Sequence, residues 1–299
     1  MSLALPSHAP SQNLRGIVAM LAAMAVFVVN DSLLKIAAET LPTGEAIFLR
    51  GLFTTIFCAA FVIAQHDLRA LPRIASPRII GRAVAEVGST IFFLSALVHM
   101  PIGDAIAILQ FTPLAITAGA ALFLGDKVGW RRWLATCVGL VGVLIIVRPG
   151  GATFNPYSVL VIASILFGAA RDLVTRGMAS SLPSFLIAGT SAAAVTFSSL
   201  TFAAFEAWTW PAPATLGVLL GSSAALTIGQ YCLIASVRTG EIAVVAPFRY
   251  SIILWAVLAG YLVWREVPDL ASWIGIAIVT AAGLYTFLRE QRLARAARS

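Results

Sequence analysis

The chain has 299 residues, of which 60% are hydrophobic and 11% are charged, and its formal net charge is +7. A soluble globular domain carries roughly 25% charged residues, so a water-soluble fold lacks the polar surface to cover this many apolar side chains. A bilayer solvates apolar side chains directly but leaves only helix bundles and closed barrels, because backbone polar groups must pair internally. The apolar runs are about twenty residues long and do not alternate with polar residues, so they indicate helices.

The positive charge does not indicate a nucleic-acid partner, because most basic residues lie in short segments between the apolar runs. Cys58, Cys137 and Cys232 all fall inside apolar runs and form no disulfide framework. The sequence contains neither a GxxxxGK[ST] phosphate loop nor an HExxH zinc motif. We therefore expect no cofactor, no resident metal and no ATP-driven step within this chain.

In chain order, the apolar runs predict ten transmembrane helices separated by Pro, Gly or charged residues. They lie at residues 14–37, 45–65, 78–99, 103–125, 131–148, 156–178, 183–205, 214–238, 241–264 and 269–288. The connections are short, so consecutive helices are expected to be antiparallel neighbours.

Arginine and lysine placement predicts the orientation of these helices, because cytoplasmic loops carry an excess of both residues. With the N-terminus in the cytoplasm, the opposite side keeps only Lys35, Arg148 and Arg265. Ten passes then place the C-terminus in the cytoplasm as well. The expected location is the bacterial inner membrane, with the bilayer itself as a partner.

The two halves of the chain share a weak internal repeat. Residues 30–42 (NDSLLKIAAETLP) resemble residues 171–183 (RDLVTRGMASSLP), with a constant offset of 141 that matches Asp31 to Asp172. Five passes in each half would turn the second copy upside down in the membrane, as in many secondary transporters. The predicted organisation is a cytoplasmic tail (1–13), a first five-helix repeat (14–150), a second, inverted repeat (151–288) and a basic cytoplasmic tail (289–299).

The stretch 110–147 carries a Pro in the fourth helix, a run of small residues, Gly followed by an acid, a short basic loop and a Gly-rich fifth helix. A degraded copy follows at 247–287, and Arg50 stands within LRGLF in the second helix. This pattern resembles the drug/metabolite transporter superfamily, of the ten-helix EamA type. The second half departs from it at Arg249-Tyr250 and at Arg265, where a Gly is usual.

The resemblance implies an all-α membrane fold with two inverted five-helix repeats around a central cavity, and transport by alternating access. Among members of the superfamily, the chain looks most similar to bacterial exporters of aromatic amino acids, as a monomer or homodimer. The expected substrate is then an aromatic or other neutral amino acid. A cationic drug or a sugar nucleotide is the alternative cargo, and a membrane-embedded enzyme is a more distant alternative.

Charged residues inside the predicted helices are candidate cavity residues, because a charge at mid-bilayer needs a partner or water. Arg249 suits a substrate carboxylate through its planar fork, or else forms a structural pair with an intramembrane acid such as Glu86. Glu86 is a candidate proton carrier, a partner for Arg249, or a residue that reaches the headgroups. For Arg50, snorkelling to the interface or pairing with Asp31 or Glu45 is favoured over substrate contact. Asp31 is expected to anchor its helix end through Lys35, four residues on.

Polar and aromatic side chains at membrane depth complete the candidate cavity: Asn30, Gln110, Gln230, Phe92, Tyr231, Tyr250 and Trp255. An amide beside an aromatic ring suits an amphipathic aromatic solute. Each of them has an alternative as a cross-helix hydrogen bond or as core packing. Pro113 and Pro247 are candidate hinges, or static kinks, because each removes a helical hydrogen bond.

Overall fold

The computed structural model describes residues 10–64, 76–123, 125, 129–149, 154–176, 184–239 and 242–296. All regular secondary structure in these ranges is helical, which confirms the predicted all-helical membrane class. Nine helices in the described part of the chain are long and apolar enough to cross a bilayer, and a shorter apolar helix at Trp133–Val147 supplies a tenth pass.

The helices are α1 (Pro10–Ala37), α2 (Thr43–Ala64), α3 (Pro77–His99), α4 (Ile102–Leu109), α5 (Thr112–Phe123), α6 (Trp130–Val147), α7 (Ser158–Arg176), α8 (Ser184–Ser199), α9 (Pro213–Thr239), α10 (Ile242–Val245), α11 (Ser251–Ala259) and α12 (Leu270–Ala296). A short 3₁₀ helix, Leu200–Ala204, extends α8. The passes formed by α4–α5 and α10–α11 are interrupted, whereas the others are continuous.

Both interruptions coincide with the predicted proline positions. The fourth pass breaks between Leu109 and Thr112, one residue before Pro113. The ninth pass changes to a 3₁₀ turn at Ala246–Tyr250, which contains Pro247, and ends in a π-helical turn at Gly260–Trp264. A proline lacks the N–H of an α-helical bond, so a change of helix type at these points is expected. Their use as hinges remains a prediction.

The helices pair as a twofold axis between the two halves requires. Helix α1 packs mainly against α9, and α3 packs mainly against α7. Exchanging the halves maps α1 onto α7 and α9 onto α3, so these are two copies of one contact. Helices α2 and α8, and α6 and α12, pack against their own counterparts. The exact repeat boundaries remain a prediction.

A pair of close helix contacts repeats across the two halves. A Cβ added to Gly88 on α3 would lie 2.5 Å from the Phe167 ring on α7, and one added to Gly229 on α9 would lie 2.8 Å from the Phe27 ring on α1. Gly229 follows Gly88 by 141 residues, the same offset that separates Asp172 from Asp31. Both glycines therefore let an aromatic side chain seat against the neighbouring helix.

Polar contacts seal one end of the bundle, where α1 ends and α2 begins; we call it the closed end. Lys35 Nζ donates to the Met100 carbonyl (2.8 Å) and to Glu266 Oε1 (3.1 Å), and it lies 4.6 Å from the centroid of the Trp264 ring. Glu266 Oε2 accepts from the Ile102 N–H (3.2 Å), at the first turn of α4. Lys35 therefore joins three passes, and the expectation that it pairs with Asp31 was wrong.

Further contacts surround this lysine at the closed end. The Gly44 N–H donates to Glu206 (2.8 Å), the Thr209 N–H to Glu45 (2.9 Å), and Trp264 Nε1 to Glu39 (2.7 Å). They tie α2 to the connection between α8 and α9, and α1 to the end of the ninth pass.

Arg148 binds Asp269 at the closed end, where α6 ends and α12 begins. The hydrogen bond from Arg148 lowers the pKa of Asp269 to about 2, from the ordinary 3.8. A lowered carboxyl pKa stabilises the contact above the ordinary value, and the stabilisation disappears as pH falls through the lowered one. The contact therefore persists at every physiological pH.

Close packing of α6 on α12 gives a stability prediction. A Cβ added to Gly275 would lie 2.7 Å from the Gly142 carbonyl oxygen, a backbone atom that cannot rotate away. We expect Gly275→Ala to cost about 1–3 kcal/mol and to lower the midpoint of thermal unfolding, measured by tryptophan fluorescence in detergent. The matched change Gly217→Ala meets open space on α9, so it should leave the midpoint unchanged or raise it. Equal midpoints for the two variants would contradict this account.

Candidate functional site

A cavity of about 550 Å³ lies between the two halves of the bundle. Its deepest residues include Asn30 and Arg50, each seven residues from the closed end of its helix. From there the cavity extends past Arg82 and Phe185 at the opposite end, which we call the open end. Ligand sites commonly occupy roughly 300–1,000 Å³, so this volume suits a small metabolite.

Four of the predicted residues line this cavity: Asn30, Glu86, Gln230 and Arg249. The other five do not: Phe92, Gln110, Tyr231, Tyr250 and Trp255. Gln230 and Tyr231 are neighbours on α9, and successive helical residues point about 100° apart. Only Gln230 faces the cavity, whereas Tyr231 is 58% exposed on the outside of the bundle.

The remaining four candidates, three aromatic residues and Gln110, pack within the bundle. The ring of Phe92 lies 5.6 Å from that of Phe167, between α3 and α7. Tyr250 packs against α12 so closely that a Cβ added to Gly283 would lie 1.7 Å from its hydroxyl. Trp255 contacts the core clusters beside α1, and Gln110 is buried at the break in the fourth pass.

Glu86 sits between two arginines near the open end. Its carboxylate lies 3.1 Å from Arg171 Nη1 and 3.6 Å from Arg82 Nη2. Arg82 also donates to the hydroxyls of Thr175 (3.1 Å) and Ser191. Glu86 is therefore compensated by these two guanidinium groups, and the alternative in which it pairs with Arg249 was wrong.

Arg249 differs from the other cavity arginines in having no direct partner. Its side chain makes no hydrogen bond or ion pair within the part of the chain that the structure describes. It interacts electrostatically with Asp172 and Arg171 on α7, and Asp172 is itself bonded to Arg171 (2.7 Å). The 3₁₀ turn at Ala246–Tyr250 thus presents a guanidinium to the cavity with its donors available.

A second polar group occupies the deep end of the cavity. Asn30 Nδ2 donates to Asp31 (2.8 Å), and Asn30 Oδ1 lies 3.5 Å from Arg50 Nη1. The hydroxyl of Ser222 on α9 donates to Asn30 Oδ1 (2.9 Å), and that of Ser223 donates to the Arg50 carbonyl (2.9 Å). Arg50 is buried on the cavity wall, so the expectation that it snorkels to the interface was wrong. Among the described residues it interacts electrostatically with Asp31 but forms no direct ion pair with Asp31 or Glu45.

The cavity carries an excess of positive charge. Its lining contains four arginines (Arg50, Arg82, Arg171 and Arg249) and two carboxylates (Asp31 and Glu86) among the described residues. With all six groups ionised, the net charge of the lining is +2. Clefts with one sign of charge and low-dielectric walls concentrate ligands of the opposite sign. The arrangement therefore favours a solute that bears a negative group.

Known proteins resemble this chain over most of its length. The model of the EamA-like transporter family matches residues 14–148. The riboflavin transporter of Vibrio cholerae is 29% identical over 72% of each chain. The pseudopaline exporter of Pseudomonas aeruginosa is 26% identical over 89% of this chain and 94% of its own.

The first half of this chain is therefore similar to the EamA-like transporter family, and most of the chain is similar to bacterial transporters. The S-adenosylmethionine uptake transporter of Rickettsia prowazekii is 25% identical over 93% of this chain and 94% of its own. A solved crystal structure superposes with a TM-score of 0.61 over 95% of this chain and 98% of that chain, at 20% identity, which supports the fold alone. The chain therefore has a multi-pass membrane fold and is similar to transporters of small molecules.

Similarity to this family does not identify the transported solute. The three relatives are named for riboflavin, pseudopaline and S-adenosylmethionine, so the expected likeness to aromatic amino acid exporters was not found. One of them is named as an exporter and another as an uptake transporter. The direction of transport therefore differs among relatives of similar identity.

Among the charged residues of this site, Arg82 and Arg171 were not predicted from the sequence as cavity residues, because they lie near the ends of their helices and were assigned to the cytoplasmic side. A signal was present in the spacing: Arg82 precedes Glu86 by four residues, and Arg171 precedes Thr175 by four. Side chains at this spacing share one face of a helix.

The positive cavity gives a labelling prediction. Thr90 lines the cavity, whereas Thr201 is exposed near the closed end. In a background with the three native cysteines replaced by Ala, an anionic methanethiosulfonate should prefer Thr90→Cys. At each cysteine we compare the rate of the anionic reagent with that of a cationic reagent of equal size. This anionic-to-cationic rate ratio should be about tenfold higher at Thr90→Cys than at Thr201→Cys, since charged clefts change encounter rates by at least this much. Rates are read by mass spectrometry, and equal reagent preference at both sites would contradict the charge assignment.

Proposed function

We propose that this chain is a secondary transporter of small amphipathic metabolites that carry a carboxylate or a similar anionic group. Aromatic and other neutral amino acids are the first candidates. Arg249 carries the proposal, because an arginine facing a cavity in a membrane protein needs a compensating group. A substrate carboxylate supplies one through a bidentate pair.

The charge pattern separates this proposal from transport of a cationic drug. A free intramembrane carboxylate would favour a cation, but Glu86 is held between Arg82 and Arg171. The four arginines of the lining favour an anionic or zwitterionic solute instead. Sugar nucleotides also suit a positive cavity, because their phosphates are anionic, so a sugar nucleotide is included in the flux assay described below. The relatives are named as transporters or exporters, which supports a carrier over a membrane-embedded enzyme.

We propose that the open end faces the cytoplasm of a bacterial cell and that both termini lie there. Basic side chains of the described residues gather at the open end: Arg15, Arg78, Arg131, Arg238, Arg289 and Arg292. The closed end instead carries acids: Glu39, Glu45, Glu206, Glu266 and Asp269. This asymmetry is typical of a cytoplasmic side and an opposite side.

Alternating access follows from these features. In the described conformation the polar contacts around Lys35 and Arg148 seal the closed end, while the cavity reaches the open end. With the orientation above, this is a cytoplasm-facing state. Rocking of the two halves about the cavity would expose it on the other side. The broken passes at Pro113 and Pro247 are the candidate hinges for this motion.

Removal of the unpartnered guanidinium tests the proposal. Purified protein in liposomes is assayed for flux of labelled phenylalanine, tryptophan, leucine and a sugar nucleotide. For the solute that is carried, Arg249→Ala should weaken apparent affinity about 10- to 150-fold, the range expected for a lost charged hydrogen bond of about 1.5–3 kcal/mol. Arg249→Lys keeps the positive charge but not the planar guanidinium, so its apparent affinity should lie between those of Arg249→Ala and the unaltered protein.

Arg238→Ala is the matched control, because Arg238 is an exposed arginine outside the cavity. Its flux and affinity should equal those of the unaltered protein. Normal affinity in Arg249→Ala would remove the carboxylate role. Absence of flux above empty vesicles for every solute tested would remove the substrate class.

A further inference from the structure

Asp31 is the carboxylate of the cavity lining that makes no direct ion pair among the described residues, although Arg50 interacts with it electrostatically. It is half-buried on α1 at the deep end of the cavity, and its hydrogen-bond partner is the Asn30 amide (2.8 Å). No ion pair reaches it within the described part of the chain. The Asn30 side chain lies between Asp31 and Arg50: its Nδ2 donates to Asp31, and its Oδ1 lies 3.5 Å from Arg50 Nη1.

Other acids of the bundle have partners. Glu86 contacts two arginines, Asp172 binds Arg171, Glu266 binds Lys35, and Asp269 binds Arg148. Each of these ion pairs holds its carboxylate in the charged form. Asp31 is thus the cavity acid that can gain and lose a proton without breaking an ion pair.

The groups that face Asp31 can be named element by element. From α2 comes Arg50, which interacts electrostatically with Asp31, and from α3 comes Glu86, which interacts electrostatically with Arg50. Helix α9 presents the hydroxyls of Ser222 and Ser223.

The remaining packed elements add no direct ionic contact. On α1 itself, Lys35 is engaged by Glu266, and α11 has no titratable residue. The 3₁₀ turn beside α1 carries Arg249, which interacts electrostatically with Asp172 and Arg171 on α7, and Tyr250, which packs against Gly283.

A bound anion would change the proton affinity of Asp31. The substrate anion proposed above would share one cavity with this carboxylate, and two like charges in a low-dielectric site disfavour each other. Binding of the anion therefore favours the protonated acid. By thermodynamic reciprocity, a proton on Asp31 strengthens binding of the anion to the same degree.

We propose that Asp31 is the proton-carrying group of this transporter and that a proton and the substrate anion cross the membrane together. The inference rests on the proposed function, because it needs a carried anion. In the coupled step one proton from the compartment facing the cavity adds to an Asp31 carboxylate oxygen. The same proton leaves to the other compartment after the halves rock. An inward proton gradient then drives net uptake, opposite to the export expected from sequence resemblance.

The first experiment needs no substrate. Infrared difference spectra of the protein in lipid vesicles, recorded while the medium is acidified across the physiological range, should show the carbonyl stretch of a protonated carboxylic acid. This band should be lost in Asp31→Asn and retained in Asp172→Asn, the repeat-related acid with an arginine partner. A band of equal size in Asp31→Asn would overturn the proposal.

The second experiment uses a solute found to be carried in the liposome assay above. In unaltered protein an imposed inward proton gradient should raise uptake above the equilibrium level by about tenfold per unit of ΔpH, the thermodynamic limit for one coupled proton. Asp31→Asn should lose this accumulation yet keep counterflow exchange. Asp31→Glu should restore part of the accumulation, and Asp172→Asn should keep it.

These measurements separate the two claims. If no solute is carried, the proposed function fails, while the infrared band still decides whether Asp31 exchanges a proton. If a solute is carried and Asp31→Asn accumulates it normally, proton coupling at Asp31 is wrong and the transporter assignment stands. Loss of both accumulation and counterflow in Asp31→Asn, with a normal unfolding midpoint, would overturn the coupling role in favour of a direct role in binding substrate.

Discussion

The arginines inside the bundle depend on a single constraint: a charge held at membrane depth must be compensated by a partner, by water or by a bound ion. Arg82 and Arg171 share Glu86, and Arg50 lies beside the amide of Asn30. Arg249 is left without such a group. The lining therefore carries more positive than negative groups, and this favours solutes with a negative group.

The two ends of the protein use charge in different ways. At the closed end, short polar contacts link helices that are distant in sequence, such as Lys35 with Glu266 and Arg148 with Asp269. At the open end, the charged side chains instead line the cavity and join α3 to α7 and α8, as Arg82 does. The contacts at both ends join a helix of one half to a helix of the other half. The same side chains therefore hold the two halves together and control access to the cavity.

Hydropathy and proline positions were sufficient to predict the helices, because the apolar runs have the length of a helix that spans lipid and lack the alternation of a barrel strand. The cavity was only partly predictable. Asn30, Glu86, Gln230 and Arg249 are placed on it by their helical phase, whereas Tyr231, one residue from Gln230, is turned outward by the same geometry. Pairing partners could not be read from the sequence, because Lys35 and Glu266 are 231 residues apart. Hydropathy predicts where each helix begins and ends, but it does not predict which distant residues will contact each other.

Glu266 has a dual role that bears on how the conformations interconvert. One carboxylate oxygen accepts from the ammonium of Lys35, and the other satisfies the backbone N–H of Ile102 at the beginning of α4. Separating the ninth pass from α1 would therefore expose a lysine and also fray the first turn of a neighbouring helix. Because the ion pair with Lys35 and the hydrogen bond to Ile102 would be lost together, partly opened conformations should be high in free energy. The protein should therefore populate two discrete conformations with few intermediates. Its kinetics would then resemble a cooperative switch more than a gradual widening.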